Sequence, residues 1–251
     1  MGSFEVEPPI LCSRSLCFDE KTFTCFGGDL PKKESPYNYD SLSTDKLTLC
    51  PHLHTTHAET ECHIKSKQGL SILEKTQKFL SPLPTLVIEI PTHDGQLEVT
   101  LEQTQHCYFQ ALGKCPTHQL RYCNRIYKVA LIKFLYSPNP DPATKNISRW
   151  PYLSVTSVLF LREKGFTCVA VNTPSFDNET SKDVENHHAF FDGTDRHLVI
   201  EFVEAKNVAA GPYIAELAVY PVDSDSAPCA IKMKKIVSAH LIENTPESMS
   251  D

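Results

Sequence analysis

Pro51-His-Leu-His-Thr-Thr-His-Ala-Glu-Thr-Glu-Cys-His-Ile64 is the stretch that decides the fold. The chain has 251 residues and eleven histidines. Spread evenly, these would place about half a histidine in a twelve-residue window. His52, His54, His57 and His63 all fall within one such window, with Glu59 and Glu61 between them. Imidazole and carboxylate together suit zinc, manganese or iron. His57-Ala-Glu59 has i, i+2 spacing, so on an extended segment both side chains lie on one face and reach a single ion. His63 lies further along that face, placed to approach activated water without binding the metal. His52 and His54 precede the Thr55-Thr56 turn, and either can fold back as a further ligand.

Two plainer readings stand beside this one. A histidine tract on the surface binds metal adventitiously, and a closed structural zinc site needs four protein ligands, usually with cysteine. Cys50 and Cys62 are close enough in sequence to keep the second open. The zincin motif H-E-x-x-H and the serine-hydrolase motif G-x-S-x-G are both missing, as is any glycine-rich phosphate loop.

Composition narrows the class. A formal charge of −7 argues against nucleic acid, which wants a basic face. At 41% apolar residues the chain can bury a substantial core. No apolar run is long enough to span a membrane. Residues 1–14 lack the charged and apolar regions of a signal peptide, so the expected location is cytoplasmic. Met1-Gly-Ser-Phe-Glu-Val6 falls short of a myristoylation signal because position 6 is Val. The ten cysteines are then expected to be mostly reduced and buried. Asn146-Ile-Ser and Asn178-Glu-Thr fit the glycosylation pattern, which has no meaning without secretion.

Along the chain, residues 1–44 read as an irregular arm with short extended pieces, 45–238 as the folded domain and 239–251 as a flexible tail. Leu70–Leu80 has helical spacing. Thr85–Ile90 and Leu97–Leu101 read as strands, joined by a hairpin turn at His93–Gln96. Lys128–Phe134 is another strand. Ser148-Arg-Trp-Pro151 opens a helix that closes at Lys164-Gly165, followed by a strand over Phe166–Val171. Asp183–Phe191 reads as a helix, and Leu198–Val203, Ile214–Tyr220 and Cys229–Val237 as strands. Strands outnumber helices, which predicts an α/β (α+β) domain with a mixed sheet and few helices.

Thr56-His-Ala-Glu-Thr-Glu-Cys-His63 resembles the T-H-x-D-x-P-x-H core of the cyclase or kynurenine formamidase superfamily. The longer stretch from Pro51 also resembles a branch written P-H-x-N-G-T-H-T-E-C-x-x-H-I. Further blocks follow in family order: Asn172-Thr-Pro-Ser-Phe-Asp177, Asn186-His-His-Ala-Phe-Phe191, Leu198-Val-Ile-Glu201, Gly211-Pro-Tyr-Ile-Ala-Glu-Leu217 and Ala227-Pro-Cys-Ala230. The likeness covers roughly residues 45 to 236. It implies a swivelling β/β/α cyclase-like fold. It also implies a metal-dependent hydrolase of amide C–N bonds, acting on N-formylkynurenine or cyclic amides such as isatin. The implied cofactor is zinc or manganese, one or two ions per chain, and the implied partner a small-molecule amide. Relatives of this kind are usually dimers or larger. Metal ligands are implied at His52 (or His54), His57 and Glu59, joined by His187 and Glu201 where a second ion binds. His63 matches the catalytic histidine. His188 and Asp177 are candidates for ligation or for supporting the ligands.

The chain departs from the motifs at several points. Thr55 stands where the branch has glycine, Glu59 where the core has aspartate, Glu61 where it has proline, and Asn172 where relatives have aspartate. Read on its own terms, Glu201 lies in an apolar strand, where a carboxylate is costly unless paired or metal-bound. His188 points elsewhere on a helix than His187. Ser175 lacks the elbow of a nucleophile, and Trp150 reads as a packed residue.

Overall fold

A computed structural model describes residues 3–14, 24–26, 28–39, 42–64, 69–76, 82–93, 96–115, 127–137, 141, 143, 146–194 and 196–240. The described elements begin with β1 (Ser3–Val6), β2 (Ile10–Leu11), β3 (Thr24–Cys25), β4 (Lys32–Tyr39) and β5 (Leu42–Thr48). Then come α1 (Pro51–His54), β6 (His57–Glu59), a 3₁₀ turn (Glu61–His63), α2 (Ile72–Thr76) and β7 (Leu83–Pro91). They continue with β8 (Glu98–Val99), α3 (Leu101–Gly113), β9 (Val129–Leu135), β10 (Asn146–Ile147), β11 (Tyr152–Leu153) and α4 (Val155–Glu163). The last are β12 (Cys168–Val171), α5 (Glu185–Phe191), β13 (Leu198–Glu201), β14 (Gly211–Val219) and β15 (Ser226–His240).

Seven strands close a barrel in the order β6, β13, β12, β9, β7, β14, β15 and back to β6. Strands β7, β9, β12 and β13 run parallel. Strands β6, β14 and β15 are antiparallel to their neighbours, which makes the sheet mixed, as expected. Closure removes the barrel's free edges. Strand β15 does most of the closing. Its first residues pair with β6, its middle with β14, and the rest with β2 and β1.

Side-chain alternation divides the protein into two apolar layers. Val87, Leu131, Ala170 and Ile200 point into the barrel with Ala58 and Met233. Ile88, Ile132, Val171 and Val199 point outward, under α3, α4 and α5, and meet Tyr108, Val158, Phe190 and Phe191. The connections β7–α3–β9, β9–α4–β12 and β12–α5–β13 are therefore βαβ units, whose strands must be apolar on both faces. Among the described residues no helix is long and apolar enough to cross a membrane. The eight described cysteines form no disulfide, and most are buried.

Several elements differ from the sequence reading. Strand β7 has β14 on one side and β9 on the other, so no edge is left for a hairpin partner from residues 97–101. That segment keeps only β8, which pairs in parallel with β11. Leu101 instead opens α3, with a reciprocal cap in which Gln103 N–H donates to the Thr100 hydroxyl and Thr100 N–H to the Gln103 side chain. The helix expected at Ser148 starts at Val155 with Ser154 as its cap, because Tyr152 and Leu153 are drawn into β11. It ends where expected, with Gly165 at φ 87°.

The residues read as an irregular arm with short extended pieces contain β1 to β4 and the start of β5. The first ones attach to β15, and β4 pairs with β5 as a hairpin. Ala239 and His240, assigned to the tail, extend β15 and pair with β1; residues 241–251 lie outside the described residues. Of Leu70–Leu80, only the part containing α2 is described.

Candidate metal centre

The pairing of β6 with β13 builds the site. Glu201 lies opposite His57, Ile200 opposite Ala58 and Val199 opposite Glu59. Ala58 and Ile200 fill the barrel interior, so alternation turns His57, Glu59 and Glu201 outward, beneath the helical layer. Helix α5 then lays His187 over them. All four are almost completely buried. His52 completes the group from α1 and is partly exposed.

One carboxylate sits at the centre. Glu59 Oε1 lies 2.5 Å from His52 Nδ1 and 2.8 Å from His57 Nε2, and Oε2 lies 2.8 Å from His187 Nε2. Glu201 reaches the same imidazoles, with Oε2 3.3 Å from His57 Nε2 and Oε1 3.4 Å from His187 Nε2. Glu201 Oε1 also accepts the Phe176 N–H at 2.6 Å and the Ser175 hydroxyl at 3.3 Å. Ser175 therefore shapes the site and lacks the setting of a nucleophile.

Each imidazole is oriented from its far side. His57 Nδ1–H donates to the Thr55 carbonyl at 2.9 Å, which leaves Nε2 facing the two carboxylates. His187 Nδ1–H donates to Asp177 Oδ2. Asp177 is itself fixed by the backbone N–H of Asn186 at 2.7 Å and of His187 at 3.3 Å. Carboxylate or carbonyl behind imidazole is the usual arrangement around a bound metal. Phe176 and Phe191 pack against the His187 ring and keep the surroundings dry. Two residues here hold left-handed backbone: Val184 (φ 42°), just before α5, and Phe202 (φ 61°), just after Glu201. Such strain concentrates at functional sites.

Charge makes the same demand. Burial alone would raise both carboxyls, but His52, His187 and His57 hold Glu59 well below the usual carboxylate range. Burial and the Glu59 charge likewise raise Glu201, yet His187 and His57 keep it lowered. Two buried anions and the lone pairs of three imidazoles share one space, and only a cation or added protons relieve it. His52, His57, Glu59 and Glu201 bring ligand atoms within 4.8 Å of one another. The nitrogen and carboxylate donor set fits a borderline divalent ion such as zinc or manganese.

The remaining sequence candidates divide. His54 is buried but committed: Nδ1 accepts the Cys50 N–H at 3.0 Å, and Nε2 lies 2.7 Å from the Asp29 carbonyl. It anchors α1 and stays out of the cluster, whereas His52 enters it. His188 is exposed, about 100° round α5 from the buried His187. His63 stands at the rim, its ring stacked 4.5 Å from that of His52 and 5.6 Å from that of His187. Trp150 is buried, its indole N–H donating to the Asp177 carbonyl.

The departures from the motifs are absorbed. Thr55 has ordinary extended backbone (φ −125°), so the absent glycine costs no strain there. Glu61 pairs with the fully buried Lys75. Asn172 accepts the Phe134 N–H and donates to the Phe134 carbonyl, a pair of hydrogen bonds that an ionised aspartate cannot make. Sequence reasoning missed Asp225, whose Oδ2 lies 3.3 Å from His52 Nε2 and 3.1 Å from His63 Nδ1. It sits in the polar loop before β15 and resembles an ordinary turn residue.

The sequence matches no protein-family model and no curated protein. Its structure is similar to several solved ones. A predicted metal-dependent hydrolase from Bacillus stearothermophilus superposes with a TM-score of 0.63 at 13% identity, over 90% of this chain and 98% of that one. An isatin hydrolase bound to the product analogue thioisatinate gives 0.65 at 12% identity, over 92% and 93%. A novel cyclase gives 0.65 at 10% identity, over 92% and 90%. Built on a closed seven-stranded barrel with helices over its parallel strands, the chain has the cyclase-like fold that its sequence motifs imply.

Proposed function

We propose that this protein is a metal-dependent hydrolase that cleaves an amide C–N bond in a small molecule, of the arylformamide or cyclic-amide kind. One observation carries the reading: His52, His57, Glu59 and Glu201 bring their ligand atoms within 4.8 Å of one another, His187 reaches both carboxylates from α5, and His63 stands open beside them. The fold's likeness to an isatin hydrolase favours the same reaction class.

His52, His57 and Glu59 would hold one divalent ion, zinc or manganese, and His187 and Glu201 would join Glu59 around a second where two are bound. When bound, such an ion supplies Lewis acidity that lowers the pKa of water to about 7 and polarises a carbonyl. Thr55 and Asp177 keep His57 and His187 in the tautomer whose Nε2 is a ligand. His63 donates its Nδ1–H to Asp225, which leaves Nε2 to take a proton from the attacking water and return it to the departing nitrogen. Imidazole suits both directions of transfer near neutral pH.

The test is direct. Purified protein loaded with manganese or zinc is assayed on N-formylkynurenine, isatin and a panel of related amides and lactones. Hydrolysis that chelation abolishes and metal restores is the expected result. A fully loaded protein inert on the whole panel overturns the reading.

A further inference from the structure

We infer that Asp225 is a positioning residue of this site, setting the orientation of a metal ligand and of the proton-transfer histidine with one carboxylate oxygen. The inference rests on the proposed hydrolase reading. Asp225 Oδ2 accepts His52 Nε2–H at 3.3 Å and His63 Nδ1–H at 3.1 Å. The two rings are stacked with 30° between their planes, one carried by α1 and the other by the 3₁₀ turn. Strand β6 separates those two elements in the chain, and the carboxylate bridges the two rings. On the far side of its ring, His52 presents Nδ1 to Glu59 Oε1 at 2.5 Å. With an ion bound by His52, Asp225 would stand behind the imidazole, the arrangement that fixes ring rotation and raises ligand basicity.

The loop is held so that this carboxylate stays in place. Its backbone carbonyl accepts the Thr60 N–H at 3.0 Å, directly beyond Glu59, and the neighbouring Ser224 carbonyl accepts the Ile72 N–H at 2.9 Å. Asp225 Oδ1 is occupied by the Ser224 hydroxyl at 2.9 Å, which directs Oδ2 at the imidazoles. These backbone anchors survive replacement of the side chain, so a variant tests orientation and spares the fold.

Asp225→Ala and Asp225→Asn are compared with the parent in full-length protein, with manganese chloride as the metal. In Asp225→Ala, the apparent Kd for manganese by chelator competition should rise about 10–100-fold, and kcat at saturating metal should fall by a similar factor with KM nearly unchanged. Asp225→Asn, which keeps one acceptor oxygen, should lie between. The kcat loss should vanish in a His63→Ala background, because the residue acts on the rate through His63. Nitrogen NMR should place the His63 proton on Nδ1 in the parent and divide it between both nitrogens in Asp225→Ala.

Unchanged affinity together with an unchanged tautomer overturns the inference. So does loss of a whole ion per chain at saturating manganese, since Asp225 would then be a ligand. If the parent hydrolyses nothing on the amide panel, the hydrolase reading fails by itself, and affinity and tautomer still decide the role of Asp225.

Discussion

Glu201 and His57 are direct partners across the β13–β6 pairing, and Glu201 Oε2 stands 3.3 Å from His57 Nε2. A parallel strand of the βαβ array and a three-residue antiparallel strand from the first quarter of the chain thus place adjacent candidate ligands. Replacing Glu201 with Gln keeps the shape and removes one of the two buried anions. Metal affinity should fall by at least 10–100-fold, read as metal retained after dialysis. Full retention would remove Glu201 from the ligand set.

Stability of the ion-free protein should depend on pH in a defined window. Burial alone would lower His52, but the Glu59 charge and the hydrogen bond to Asp225 push it up to about 11. Burial likewise opposes Glu201 and Glu59 at His57, which they push up to about 9. A histidine raised above its unfolded value of about 6.5 stabilises the fold fully below that pH, and the contribution fades as pH climbs through the folded value. Tm of chelator-treated protein should therefore drop between about pH 6.5 and about pH 9, and continue down towards about pH 11. Glu59 and Glu201 are lowered, so they change stability only under acid conditions.

Metal reverses that trend. An ion requires unprotonated imidazoles, so binding releases protons and strengthens as pH rises. Calorimetric titration with manganese in buffers of differing ionisation enthalpy should report proton release near neutral pH. An enthalpy identical in every buffer would contradict the protonated state assigned to His52 and His57.

The Glu61–Lys75 pair allows a sharper stability test. Lys75 is fully buried, donates also to the His197 carbonyl at 2.8 Å, and lies over the Phe191 ring. Lys75→Met alone strands the Glu61 charge and should cost about 3–5 kcal/mol in urea unfolding. Adding Glu61→Leu should recover most of that loss, because an apolar pair of similar volume replaces an ionic one. A double variant as unstable as the single would show that the pair itself is favourable.

Thr100→Ala should cost about 1 kcal/mol by removing the α3 cap, with metal content unchanged. The residue lies in the helical layer, at the start of α3.

Much of this architecture was legible because local spacing and tertiary role agree. His57-Ala-Glu59 reads as one face of a strand and becomes one. Glu201 reads as a carboxylate too costly for an apolar strand and receives buried partners. Where local signals conflict or are silent, the reading stops. Thr100-x-x-Gln103 is a capping box that marks α3, yet the alternation of Leu97–Leu101 points to a strand. His52 and His54 are indistinguishable by composition, and only the fold shows that backbone groups claim both nitrogens of His54. Asp225 carries no local signal, since its partners lie far away in the chain.

The seam formed by β6, β13 and β15 also sets the order of events in synthesis. The ligand-bearing strand near residue 57 acquires its two neighbours only when residues 198–201 and 226–228 exist. In a nascent chain β6 therefore lacks both neighbours until those later segments have emerged. Such long-range closure is slow relative to local folding. On the proposed reading a cation would therefore bind a largely formed barrel, after the seam on both sides of β6 has closed.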